Sequence, residues 1–186
     1  MTCLSDALPK GSPVLDASVV INILGTGAAA DVLAGLGHPS LVEERTLREV
    51  LRHPLTDTDL PQALKHLQGR GHLKVVRMTD QEYGTYLGLV SGSLGSRLGV
   101  GESAAISIAA RGQCLVLDDR KARRRSCSLT PQPAIASSLQ LILASAARQG
   151  WSASRARELV SSARLHARMA VIGEEMLLLD GLLKEA

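Results

Sequence analysis

The sequence predicts an α/β fold with a parallel sheet, and three observations carry that expectation. Short apolar runs end in acidic residues, helical stretches alternate with them, and the hydrophobic complement is almost wholly aliphatic. Of 186 residues 45% are hydrophobic, yet they include two Tyr, one Trp and no Phe. Leu, Val, Ile and Ala must therefore fill the core, and stacking of splayed bases on aromatic rings is not an expected binding mode.

The elements follow in order. Residues 13–16, Pro-Val-Leu-Asp, read as a buried strand ending at Asp16, with residues 19–24 entering a helix. A loop at Gly25 to Gly27 opens an alanine-rich helix, and Ser40-Leu41-Val42 gives a second strand. Thr46 is suited to cap a helix running through Leu51, with Leu47, Val50 and Leu51 toward the core and Pro54 marking its end. Residues 59–69 carry Leu60, Leu64 and Leu67 on one helical face, and residues 73–78 make the third strand. Thr79 or Asp80 caps the next helix. The glycine-rich stretch 91–101 reads as a loop before a buried helix from Glu102 to Arg111, which Gly112 closes. Residues 114–117, Cys-Leu-Val-Leu, are too short and too apolar for anything but an internal strand, and they lead into Asp118-Asp119 and a basic helix. A further strand is expected near residues 128–130, and from Pro133 the chain reads as helical, with segments at 139–143, 155–168 and 176–183.

The bulk properties bound the partners. The net charge of +3 averages an acidic set and basic runs, and it permits a polyanion. Three cysteines with no paired spacing fit a reducing, cytoplasmic compartment, Cys114 acting as a small hydrophobe. No apolar run reaches the ~18–20 residues that cross a bilayer, so no membrane partner is expected. Five histidines without paired ligand spacing argue against zinc, and no Gly-Lys-Ser or Gly-Lys-Thr supports a P-loop.

In a parallel sheet Asp16 and Asp118-Asp119 reach the same carboxyl edge, where ligands of such folds bind. Glu49 and Glu102, each at a helix, can face that edge too. Carboxylates brought so close repel one another unless a cation neutralises them, and Mg²⁺ and Mn²⁺ favour such oxygen ligands. Metal-assisted hydrolysis of a phosphodiester is the natural chemistry of that set.

Four segments then stand together: Asp16-Ala17-Ser18-Val19-Val20-Ile21, Glu49-Val50-Leu51, Gly101-Glu102-Ser103-Ala104-Ala105-Ile106 and residues 115–123 around Asp118-Asp119-Arg120-Lys121-Ala122-Arg123. In this order the chain resembles PIN-domain proteins over roughly residues 13–150. The resemblance implies a three-layer PIN-like domain with a four- or five-stranded parallel sheet, followed by a helical extension over residues 151–186. It implies a Mg²⁺- or Mn²⁺-dependent endoribonuclease that leaves 5′-phosphate and 3′-hydroxyl ends, with RNA as substrate. It also implies the toxin of a toxin–antitoxin pair, with an antitoxin protein as partner, and homodimers. By the same carry-over Asp16, Glu49, Glu102 and Asp119, with Asp118, form the metal site, and Ser18 supports the first Asp. Standing immediately after the Asp118-Asp119 doublet, Arg120, Lys121 and Arg123 are placed to hold the phosphates of the RNA backbone. The chain departs from the pattern at Leu117, where such toxins often carry Ser or Thr, and in its long helical tail.

Ordinary structural roles compete at each position. Asp16 and Asp119 can be helix N-caps, Glu49 can pair with Arg48 or Arg52, and Glu102 can answer a helix dipole. The basic run at 120–125 and the set Arg157, Arg164 and Arg168 can be solvated helix faces. Gly25-Thr26-Gly27-Ala28-Ala29-Ala30, with Glu43 beyond it, also resembles a dinucleotide phosphate loop, and that alternative needs one long strand from Val14 to Leu24. A module that binds RNA or protein without cutting is the alternative within the PIN-like reading.

Overall fold

One sheet of five strands organises the chain: β1 (Pro13–Leu15), β2 (Ser40–Glu43), β3 (Leu73–Val76), β4 (Cys114–Val116) and β5 (Ile135–Ala136). All neighbours are parallel and the order is β3-β2-β1-β4-β5. The computed structural model describes residues 11–55, 58–92, 97–111, 114–171 and 173–184. The helices are α1 (Ala17–Gly25), α2 (Ala29–Ala34), α3 (Glu44–Glu49), α4 (Leu60–Gly69), α5 (Asp80–Val90), α6 (Val100–Ser107), α7 (Arg120–Ser126), α8 (Ser138–Arg148), α9 (Ala153–His166) and α10 (Met176–Lys184).

Strand side chains alternate between the two faces, and each face is covered. Leu15, Val42, Leu73, Cys114 and Val116 join one apolar cluster with α1, α2, α4, α8 and α9. Val14, Leu41 and Leu115 point the other way, into a cluster with Leu89, Ala105, Ile106 and Ala122 from α5, α6 and α7. Burial on both sides is why these strands read as unbroken apolar runs. Cys114 lies in that core, where burial pushes its thiol up to about 11 and leaves it inert.

The strand order has a consequence for binding. From β1 the chain moves outward on one side through β2 and β3, then crosses to β4 on the other. The crevice between the carboxyl ends of β1 and β4 is thus the topological switch point, where open parallel sheets bind ligands. Leu15 pairs with Val116, so the two strands end level.

Several expectations are corrected. The fifth strand lies at Ile135–Ala136, whereas residues 127–130 form a turn. Thr46 lies inside α3, whose cap is Glu43, and its hydroxyl donates to the Gly101 carbonyl at 3.1 Å. A side-chain acceptor at the end of β2 lets the helix begin earlier than Thr46. Leu51 is 84% exposed, because the chain leaves the helix after Glu49. Arg168 falls beyond the end of α9. Gly112 and residues 93–96 of the glycine-rich stretch lie outside the described residues.

The dinucleotide alternative fails on topology. Gly25-Thr26-Gly27 follows a helix, not a strand, and Glu43 is 0% exposed, capping α3 and pairing with Arg45 at 3.0 Å. The C-terminal α9 contributes Ala156, Leu159, Val160 and Ala163 to the same core as Val19, Val20 and Ile23 of α1. Gly25 permits this approach: a Cβ there would stand 2.6 Å from the Ala167 Cβ. Among the described residues no helix is long and apolar enough to cross a membrane.

Candidate functional site

Backbone pairing sets the first two acids. Asp16 directly follows β1 and its N–H donates to Val116 O of β4 at 3.4 Å, while Asp118 and Asp119 follow β4 one residue further on. α3 ends at Glu49, and α6 begins at Val100 with Glu102 in its first turn. A cleft of about 450 Å³ is lined by Asp16, Glu49, Glu102, Asp118 and Asp119, with Ser18 and Asn22 on its α1 wall. All the acids expected from the sequence line this one space.

Each is held by a named group. Asp16 is 3% exposed and caps α1, its Oδ2 accepting from Ser18 Oγ at 2.8 Å and its Oδ1 from Ser18 N–H at 3.3 Å. Glu49 Oε1 accepts from Gly101 N–H at 2.8 Å, which ties α3 to α6. The competing ion pairs of Glu49 with Arg48 or Arg52 do not form among the described residues, and Arg48 binds Glu44 at 2.7 Å instead. Glu102 Oε2 accepts from Gly99 N–H at 3.0 Å, and Asp119 caps α7 by accepting from Ala122 N–H at 2.8 Å. Capping and cleft lining therefore coexist at Asp16 and Asp119, so the structural role does not exclude the chemical one.

The doublet divides its labour. Asp118 accepts from Ser138 N–H at 2.8 Å, Ser138 Oγ at 2.6 Å and Asn22 Nδ2 at 2.7 Å, joining β4 to α1 and α8. Asp119 is exposed and keeps Oδ2 without a partner among the described residues.

Electrostatics follow from crowding. Burial pushes the Asp16 carboxyl up to about 6, with Glu102 and Asp118 adding to the rise and the Ser18 hydrogen bonds opposing it. Burial also raises Glu102, helped by Asp119 and Glu49 and opposed by the Gly99 hydrogen bond and Lys121. Carboxylates held so against their own charge form an all-oxygen donor set of the kind that suits a hard divalent cation. The acids nevertheless share a cleft and not a point. Among the described residues no three His, Cys, Asp or Glu side chains stand close enough to hold an ion as they are.

No family model, curated protein or solved structure matches the chain.

The expected RNA-gripping residues do not line the cleft. Lys121 Nζ donates to the Arg97 carbonyl, Arg123 Nη1 donates to Leu117 O at 3.0 Å, and Arg120 is exposed near Gly173. Three residues at the site were not singled out from the sequence as site residues: Asn22, Ser138 and Arg168. Asn22 had a signal, as the one amide inside the apolar run Val19–Leu24. Ser138 has none, and the spacing of Arg168 from Arg157 and Arg164 suggests a shared helix face, whereas it lies past the end of α9.

Proposed function

We propose that this chain is a PIN-like endoribonuclease that hydrolyses RNA phosphodiester bonds with Mg²⁺ or Mn²⁺. One observation carries the reading: acids from four separate parts of the chain, Asp16, Glu49, Glu102 and Asp118-Asp119, converge on one cleft at the switch point of a parallel sheet. A structural explanation would have to account for the cost of burying Asp16 among like charges, since Asp16→Asn could cap the same helix at less electrostatic expense.

The roles divide by environment. Asp16, Glu102 and Asp119 would hold the cation, and Asp118 would hold their frame, its oxygens being engaged with Asn22 and Ser138. Glu49 would bind a second ion or orient water, and Ser18 fixes the rotation of Asp16. Glu49 and Asp119 are exposed, each with one carboxylate oxygen held by a backbone N–H. When bound, Mg²⁺ or Mn²⁺ supplies Lewis acidity toward the phosphodiester and toward the attacking water. Arg120, Lys121 and Arg123, on the helix that starts at Asp119, would hold flanking phosphates. An antitoxin partner and a homodimer belong to the same proposal through the resemblance alone.

The spread of the acids favours a second reading, a module that holds RNA without cutting. Incubating the purified protein with mixed-sequence single-stranded RNA and Mg²⁺ or Mn²⁺ separates the two. The nuclease gives products with 5′-phosphates that EDTA abolishes. Bound, intact RNA with either metal establishes the module instead.

A further inference from the structure

Arg168 is built into the acidic cleft in a way its sequence position does not explain. α9 ends at His166 with Ala167 as its cap, and the N–H groups of Ala167 and Met169 both reach back to Ala163 O, at 3.0 and 3.2 Å. This closure needs a left-handed residue between them, and Arg168 takes it with φ 58°. Glycine is the usual occupant, because a side chain there meets its own backbone. Arg168 is the only non-glycine residue with positive φ among the described residues. The turn places this residue at the cleft: Ala167, Arg168 and Ala170 form one wall, and Arg168 is the one basic residue among the described residues lining a space that holds five acids. Its guanidinium is exposed and has neither hydrogen-bond nor ion-pair partner among the described residues. A surface arginine in a solvated role would gain nothing from the strain.

We infer that Arg168 is a substrate-binding residue that grips an RNA phosphate entering the cleft, delivered from the C-terminal helical segment rather than from the basic helix after Asp119. The assignment rests on the nuclease reading for its substrate but not for its geometry. A planar fork of donors suits a phosphate, and at the mouth of an acidic site it offsets the repulsion the strand meets there. The five acids hold an excess of negative charge, so one cation among them attracts phosphate only once they are neutralised. The contact should accordingly strengthen when a divalent cation is present.

The test compares wild type, Arg168→Gly and Arg168→Lys for binding of a fluorescent single-stranded RNA across a salt series, in Ca²⁺ and in EDTA, with thermal midpoints recorded. Ca²⁺ neutralises carboxylates with looser coordination than Mg²⁺. Arg168→Gly should bind about tenfold more weakly in Ca²⁺ and lower the salt slope by about 0.7, while its thermal midpoint stays level or rises as strain is relieved. Arg168→Lys should keep the slope and lose part of the affinity. Unchanged or tighter binding by a folded Arg168→Gly overturns the assignment, and so does a wild type that binds no RNA in Ca²⁺. A Mg²⁺ or Mn²⁺ cleavage assay run alongside separates the two claims. If wild type binds as described but never cuts, the nuclease reading fails and Arg168 stands.

Discussion

Asn22 Nδ2 donates to Asp118 Oδ2 at 2.7 Å, joining two cleft-lining residues 96 positions apart. The same amide reaches Ser138 Oγ at 3.1 Å, so one side chain of α1 locks the end of β4 to the start of α8. Asn22→Ala should lower stability by about 2 kcal/mol, as expected for losing a buried hydrogen bond to a charged group. It should also release Asp118 and slow cleavage. Urea titration checks the first effect; an unchanged midpoint would mean the lock contributes nothing.

Asp16 makes the opposite prediction. Its carboxyl titrates near 6 in the fold, against 3.8 for the free group. A raised acid pKa means the folded state binds the proton more tightly, so stability is full below the unfolded value and is lost as pH rises through the folded one. At neutral pH that loss is about 3 kcal/mol. Asp16→Asn should therefore be more stable than wild type at pH 7 in EDTA, with the gain vanishing near pH 4. Thermal midpoints across that range decide it, and a variant less stable at pH 7 would refute the electrostatic argument.

Glu49 depends on a glycine. A Cβ on Gly101 would stand 2.8 Å from Glu49 Cδ, so Gly101→Ala should push that exposed side chain aside and break its bond to the Gly101 N–H. The displaced atoms end a flexible chain, so stability should fall by less than about 1 kcal/mol while cleavage drops sharply. Equal loss of stability and activity would point to general damage instead.

Gly25→Ala tests the seat of α9. The new methyl would meet the Ala167 Cβ at 2.6 Å, where the neighbouring atoms belong to packed helices rather than flexible ends. Destabilisation of about 1–3 kcal/mol is expected, as for overpacking. A neutral result would mean that α9 rests loosely on α1.

Much of this was legible in the sequence because strand burial on both faces leaves unbroken apolar runs, and an acid at the end of such a run must lie at the sheet's carboxyl edge. That logic located Asp16, Asp118 and Asp119 without coordinates. It failed where the signal was short or non-local. β5 has two residues, too few to show a pattern beside Pro131 and Pro133. Thr46 looked like a cap because the true cap, Glu43, belongs to the preceding strand. Ser138 matters only through its fold partner Asp118, and Arg168 through a backbone angle that composition does not reveal.

The most direct test of the central claim is cleavage of end-labelled single-stranded RNA by wild type and by Asp16→Asn, both confirmed folded, in Mn²⁺, Mg²⁺ and EDTA. Wild type should give metal-dependent products and the variant none above the EDTA background. Equal cleavage by the two proteins would contradict that claim.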